Sequence, residues 1–210
     1  KVLGLPIIED CAQGFALAPE WRINGDIATF SFRWSKCVTT GEGGMAISRD
    51  LDLVGKMIRI RDGLLNQPER RICAPLSDIA SALGLSQLGS YPQILSRRKQ
   101  IALKYRRILD ALNPVLLMDY PYDQSMFYRL ALKIPGGWEK HHQAFSARGI
   151  AVDPGVPYLQ HRNYGFPDRG FENSIALLNQ TIVLPIYPNL TREELNYCAR
   201  AVTEVFGSGR

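Results

Sequence analysis

The stretch Gly25-Asp26-Ile27-Ala28-Thr29-Phe30-Ser31-Phe32-Arg33-Trp34-Ser35-Lys36-Cys37-Val38-Thr39-Thr40-Gly41-Glu42-Gly43-Gly44 decides how the rest of the chain is read. Ile27–Phe32 alternates with the two-residue period of a strand, and Met45–Ser48 reads as a second strand beyond the Gly-rich turn Gly41–Gly44. Lys36 therefore sits in a loop between two strands, just past the end of the first.

Working outward, Val2–Glu9 reads as a short buried strand that ends in the polar pair Glu9-Asp10. An apolar run so close to Lys1 predicts neighbouring strands upstream of it. Downstream, Asp50–Arg61 has helical spacing through Leu51, Val54, Met57 and Ile58, with Asp50 as N-cap. Ser77 to Leu112 is helical but interrupted by Gly84, Gly89 and Pro92, which predicts a kink or two helices. Asn113-Pro114 stops it, and the pattern then changes to short elements. Phe127–Ile134 reads as a strand, Trp138–Arg148 as a helix stopped by Gly149, Asn173–Gln180 as a helix and Thr181–Leu184 as a strand. Thr191 with Glu194 fits a capping box for a last helix to Phe206. The boundary is expected near Asn113, giving a strand–helix part over 1–113 and a smaller α+β domain over 114–210.

Composition narrows the class. The 210 residues are 46% hydrophobic and 21% charged, which suits packed domains rather than disorder. The net charge of +5 is concentrated at Arg97, Arg98, Lys99, Lys104, Arg106 and Arg107. Ile94, Ile101, Tyr105, Ile108 and Leu112 interleave with them at helical spacing, so these cations read as a solvated helix face and not as a nucleic-acid patch. Cys11, Cys37, Cys73 and Cys198 form no C-x-x-C pair, which argues against a structural zinc site or a disulfide framework and favours the reducing cytoplasm. No apolar run reaches membrane-spanning length, so no membrane partner is expected.

Two segments carry chemistry. In Ile8-Glu9-Asp10-Cys11-Ala12-Gln13, a carboxylate stands at the C-terminal end of a strand, where open α/β sheets bind ligands. Read alone, Asp10 would simply cap a following helix. In the second segment, Lys36 offers an amine that attacks a carbonyl only when neutral, and Ser31 offers a hydroxyl five residues earlier. An isolated lysine there would ordinarily be a surface residue.

Taken together, these segments resemble the family of sugar aminotransferases, within the fold-type-I pyridoxal-phosphate enzymes. That family shows E-D-A/C-A-Q/H, then G-D-x-A-x-F-S-F-x-x-x-K, then T-x-G-E-G-G at comparable separations. The likeness continues through Leu76-Ser77-Asp78 with Gln87-Leu88, through Phe127-Tyr128-Arg129, and through Leu184-Pro185-Ile186-Tyr187-Pro188-Asn189-Leu190-Thr191.

The resemblance implies an α/β fold: the C-terminal part of the large domain that binds pyridoxal 5'-phosphate, plus a smaller α+β C-terminal domain. It implies Lys36 as the Schiff-base and catalytic lysine, Asp10 as partner of the ring nitrogen and Gln13 as contact of the ring hydroxyl. It also implies Ala12 against a ring face, Ser31 at the phosphate and His161 near the substrate. His141 and His142 read as structural. Substrates would be an amino acid such as glutamate and a nucleotide-linked sugar, with a cyclitol or other ketone, or a non-catalytic relic, as alternatives. A homodimer with shared sites is implied, and no metal. The family often has Asn five residues before the aspartate matching Asp78, for the partner's phosphate; this chain has Cys73.

Overall fold

The computed structural model describes residues 3–15, 23–64, 73–112 and 125–207. Three strands make its first sheet: β1 (Ile8–Asp10), β2 (Ile27–Ser31) and β3 (Gly44–Ile47), in the order β1-β2-β3. β1 runs parallel to β2 in the register Ile8↔Ile27 to Asp10↔Thr29. β3 runs antiparallel to β2, from Ala28↔Ile47 to Ser31↔Gly44. The alternation read in β2 is real: Ala28 and Phe30 are buried, and their neighbours are only partly so. Phe15 meets Phe30, Phe32 and Tyr91 edge-on, each at 5.5 Å between ring centroids, in the geometry favoured by aromatic quadrupoles.

The strand expected over Val2–Glu9 is shorter and more exposed than its apolar sequence suggested. Only Ile8–Asp10 pairs, and Leu3, Leu5 and Ile8 are exposed. The reason is physical: β2 pairs one edge of β1, and among the described residues no strand pairs the other.

Two helices follow. Helix α1 (Leu51–Arg61) starts at Asp50, whose Oδ1 accepts from the N–H of Asp52 at 2.9 Å and of Leu53 at 3.2 Å. Helix α2 (Asp78–Leu88) starts at Ser77, whose hydroxyl accepts from the N–H of Ala80 at 3.2 Å. These bonds satisfy N–H groups that a helix leaves without partners. The interrupted region resolves into two helices, α2 and α3 (Tyr91–Leu112), parted at Gly89-Ser90. Pro92 is the second residue of α3, where its missing N–H costs no hydrogen bond.

The chain packs as two compact units, Lys1–Ile94 and Leu95–Arg210. Asn113, the expected boundary, lies outside the described residues, and most of α3 packs with the second unit. There Ile101, Ala102, Tyr105 and Leu109 are wholly buried against β4 (Leu130–Lys133) and β5 (Thr181–Leu184), which pair antiparallel. Helices α4 (Gly137–Ser146), α5 (Gln160–Asn163), α6 (Glu172–Gln180) and α7 (Arg192–Gly207) complete this unit. Burying each large apolar side chain of this core stabilises it by about 1.5–3 kcal/mol. Thr191 and Glu194 form the capping box expected ahead of α7: Glu194 N–H donates to Thr191 Oγ1 at 3.1 Å, and Thr191 N–H donates to Glu194 Oε2 at 2.8 Å.

The strand expected over Phe127–Ile134 is also shortened. Phe127 has φ +49°, outside the extended region, and the buried Arg98 binds its carbonyl at 2.8 Å and that of Tyr128 at 3.3 Å. Pairing begins only at Leu130. Among the described residues no helix is long and apolar enough to cross a membrane.

Candidate active site

The parallel pairing of β1 and β2 determines which residues emerge together. Asp10 ends β1 opposite Thr29, and the Cys11 N–H extends the ladder to Thr29 O at 2.8 Å. Ser31 ends β2 two residues further along. Asp10, Ala12, Gln13, Ser31 and Lys36 thus follow the C-terminal ends of neighbouring parallel strands, where an open α/β sheet receives ligands.

The turn after β1 is built by Asp10 itself. Its Oδ1 accepts from the Ala12 N–H at 2.9 Å, which fixes the carboxylate, and among the described residues none takes Oδ2. Asp10 and Gln13 are exposed, and Ala12 is half-buried between them. Burial, with Glu9 and Asp10 nearby, pushes the Cys11 thiol up, so this neighbour stays protonated and is no rival nucleophile. Glu9 points elsewhere: its Oε1 accepts from the N–H groups of Asn24 and Gly25, tying the entry of β2 to β1.

The loop that carries Lys36 is pinned where it leaves and rejoins the sheet. Phe32 N–H donates to Gly43 O at 2.9 Å, and Thr40 N–H donates to Phe32 O at 2.9 Å. The Thr39 hydroxyl adds a bond to Phe32 O at 3.1 Å. Within the loop, Lys36 N–H closes a turn on Arg33 O at 2.9 Å, and Cys37 and Val38 are buried beside it. Lys36 itself is half-buried. The Ser31 Oγ accepts from the Arg33 N–H at 3.4 Å, which leaves its hydroxyl proton to donate elsewhere.

This set fits pyridoxal phosphate chemically: an amine on a fixed loop, an exposed carboxylate with a free oxygen, and a hydroxyl donor near a strand end. A groove of about 980 Å³ runs along Met45, Met57, Ile58, Pro75 and Ala80, and Asp10, Ala12, Gln13, Ser31 and Lys36 do not line it.

His161 lies in the second unit. It is 6% exposed, its Nε2 meets Asp168 Oδ1 at 3.0 Å, and its ring stacks on Phe171 at 4.0 Å. Nδ1 is the ring nitrogen that Asp168 does not take. Arg162 completes the cluster with two bonds to Asp168, each 2.8 Å. His141 and His142 bind backbone carbonyls, His141 that of Pro135 and His142 those of Trp138 and Glu139. Cys73 is exposed and bridges antiparallel to Asp62.

Sequence reading gave no role to Gln87, Asp168 or Phe171. Gln87 had two available signals, its place in the family-like Gln87-Leu88 pair and its position one helical turn after Gly84, where a small residue admits a close neighbour. The partners of His161 had none, because they are fixed by a chain reversal that no periodicity marks.

Residues 1–203 match the DegT/DnrJ/EryC1/StrS aminotransferase family. GDP-perosamine synthase of Escherichia coli O157:H7 is 27% identical over 222 aligned residues, covering 98% of this chain and 60% of that protein. The dTDP-4-dehydro-2,3,6-trideoxy-D-glucose 4-aminotransferase of Saccharopolyspora spinosa is 28% identical over 221, covering 93% of this chain and 57% of that one. The crystal structure of S. venezuelae DesV in complex with a ketimine intermediate has the same fold, with a TM-score of 0.85 at 24% identity, over 100% of this chain and 59% of that one. The chain therefore spans about three-fifths of the length of the curated relatives it matches. Matched over nearly its whole length, it belongs to the DegT/DnrJ/EryC1/StrS aminotransferase family, whose enzymes depend on pyridoxal phosphate.

Proposed function

We propose that this chain carries the lysine-bearing part of an aminotransferase that moves an amino group from an amino acid such as glutamate to a keto group of a nucleotide-linked sugar. The observation that carries the reading is the pinned loop of Lys36 beside the C-terminal ends of β1 and β2, where Asp10 and Ser31 also emerge. The nucleotide-sugar part rests on the names of the two curated relatives, both of which describe sugar chemistry.

Bound pyridoxal phosphate supplies a ring that takes up the electron pair left when a proton leaves the substrate carbon. The residues divide the remaining work. Lys36 Nζ would hold the cofactor, and its amine would serve as the base and acid that moves a proton at the substrate carbon. Asp10 would hold a proton on the ring nitrogen, Gln13 would donate to the ring hydroxyl, and Ala12 would pack against the ring. The Ser31 hydroxyl donates to the phosphate. His161, held by Asp168 and Phe171 in the second unit, is the candidate substrate contact that the resemblance implies. The working form is a homodimer, a reading supported by exposed apolar side chains on α2 such as Ile79 and Leu85.

Reduction with borohydride after addition of pyridoxal phosphate, followed by peptide mapping, tests the central assignment. A modification at Lys36 that Lys36→Ala abolishes supports it. Modification elsewhere, or none at Lys36, overturns it.

A further inference from the structure

Gln87 grips the backbone of the Lys36 loop from a helix 48 residues away in sequence. Thr39 N–H donates to Gln87 Oε1 at 3.1 Å, and Gln87 Nε2 donates to Thr39 O at 2.6 Å. The same Nε2 donates to Leu83 O at 2.8 Å, one turn back on α2, which holds the amide plane in place. One carboxamide therefore satisfies both the donor and the acceptor of Thr39, as a strand partner would. A second contact adjoins it. Gly84 is buried, and a Cβ placed there would stand 3.0 Å from Thr40 Cγ2, so the absence of a side chain lets Thr40 seat against α2.

The grip lies three residues past Lys36, at the point where the loop turns back to the sheet. The Thr39 hydroxyl reaches Phe32 O at 3.1 Å and accepts from the Gly41 N–H at 3.0 Å. Thr39 is thus fixed to the end of β2 through its side chain and to α2 through its backbone. Without Gln87, the Thr39 hydroxyl and the Thr40 N–H still hold to Phe32 O, but the peptide plane between Val38 and Thr39, on the Lys36 side, loses the bond from its N–H. The direction in which Lys36 leaves the loop turns with that plane.

We propose that Gln87 is a positioning residue: by clamping Thr39 it aims the amine of Lys36 at the position set by Asp10 and Ser31. The inference rests on the cofactor reading above and adds a residue to it. Glutamine suits the role because its carboxamide carries a donor and an acceptor in one plane. Ionised glutamate offers acceptors only, and methionine offers no donor. Displacements of about 1 Å in a reacting group are enough to cost about a hundredfold in rate, so a loosened loop has a chemical signature distinct from unfolding.

The test uses the full chain as wild type, Gln87→Met and Gln87→Glu. Two quantities are read: the rate of borohydride-trapped pyridoxal phosphate at Lys36, and amide hydrogen exchange at Thr39–Gly41, with the β1–β2 amides as control for the fold. In Gln87→Met, trapping slows about tenfold or more relative to wild type, and Thr39–Gly41 exchange accelerates. The β1–β2 amides keep wild-type protection. In Gln87→Glu the ratio to wild type at each pH recovers as pH falls, because a protonated carboxyl again donates to Thr39 O and accepts from its N–H; Gln87→Met shows no such recovery. Wild-type trapping in Gln87→Met, or loss of β1–β2 protection together with the loop, overturns the positioning role and leaves the Lys36 assignment standing. Failure of wild-type protein to trap at Lys36 overturns both.

Discussion

The imidazole of His161 lies flat on Phe171, with ring centroids 4.0 Å apart and planes inclined by 3°, while Asp168 holds its Nε2 at 3.0 Å. Asp168 also binds the Arg162 guanidinium through both oxygens, and the hydrogen bonds from Arg162 first and His161 second hold its carboxyl well below the usual carboxylate range. A group whose folded pKa is depressed adds stability that is fully present above its unfolded value and fades as pH falls toward the folded one. The Asp168 contribution is therefore complete above about pH 4 and drains away below it. Asp168→Asn should lower the melting temperature at neutral pH, with the gap from wild type closing as the solution is acidified. Melting curves over a pH series check this, and a gap that stays constant into acid would show that the charge is not what Asp168 contributes.

Asp10 separates its structural duty from its chemical one. Asp10→Asn keeps an oxygen to accept from the Ala12 N–H, so the turn after β1 persists, but it removes the charge proposed to face the cofactor's ring nitrogen. The variant should melt within a degree or two of wild type and transfer amino groups about a hundredfold more slowly or worse, the scale seen when one electrostatic contact to a reacting system is lost. Transfer at the wild-type rate in this variant would remove Asp10 from the site.

Much of this architecture was legible because local chemistry and global packing agree. Asp50, Ser77 and Thr191 each read as helix starts, and each side chain binds the N–H groups it was expected to bind. β2 kept its alternation because one face of it is buried. Legibility failed where a distant residue overrides a local pattern. Arg98 draws the carbonyls of Phe127 and Tyr128 out of a run that reads as extended, so β4 starts late. The run from Leu3 to Ile8 that leads into β1 is largely apolar but exposed, because burial is a property of neighbours and not of the segment. Within the candidate site, Lys36, Asp10 and Ser31 were picked out by the family resemblance of the motifs that hold them; read alone, Asp10 was a cap and Lys36 a surface residue. The clamp by Gln87 did not stand out, since nothing local links a helical amide to a loop 48 residues before it.

Two glycines give opposite expectations for the same substitution. Gly25 stands at the entry of β2, where a Cβ would meet Ile7 O at 2.8 Å, Ile7 Cγ2 at 3.1 Å and Glu9 Cγ at 3.2 Å. The first of these is backbone, so it cannot swing aside. Gly25→Ala must push β2 away from β1, straining Asp26 N–H to Ile7 O at 2.8 Å and Ile7 N–H to Asp26 Oδ2 at 2.9 Å. A loss of about 1–3 kcal/mol follows, the scale of an overpacked interior. Because the same displacement shifts Asp10 relative to Ser31, affinity for pyridoxal phosphate should fall as well. Gly55 is an exposed residue inside α1, and an added Cβ there has no neighbour within 4 Å. Gly55→Ala should stabilise the chain by about 0.5–1 kcal/mol through the lower conformational entropy of the unfolded state, with cofactor affinity unchanged. Urea denaturation and cofactor titration on both variants check the pair. If Gly25→Ala lost stability but kept full affinity, the β1–β2 spacing would not be what sets the site.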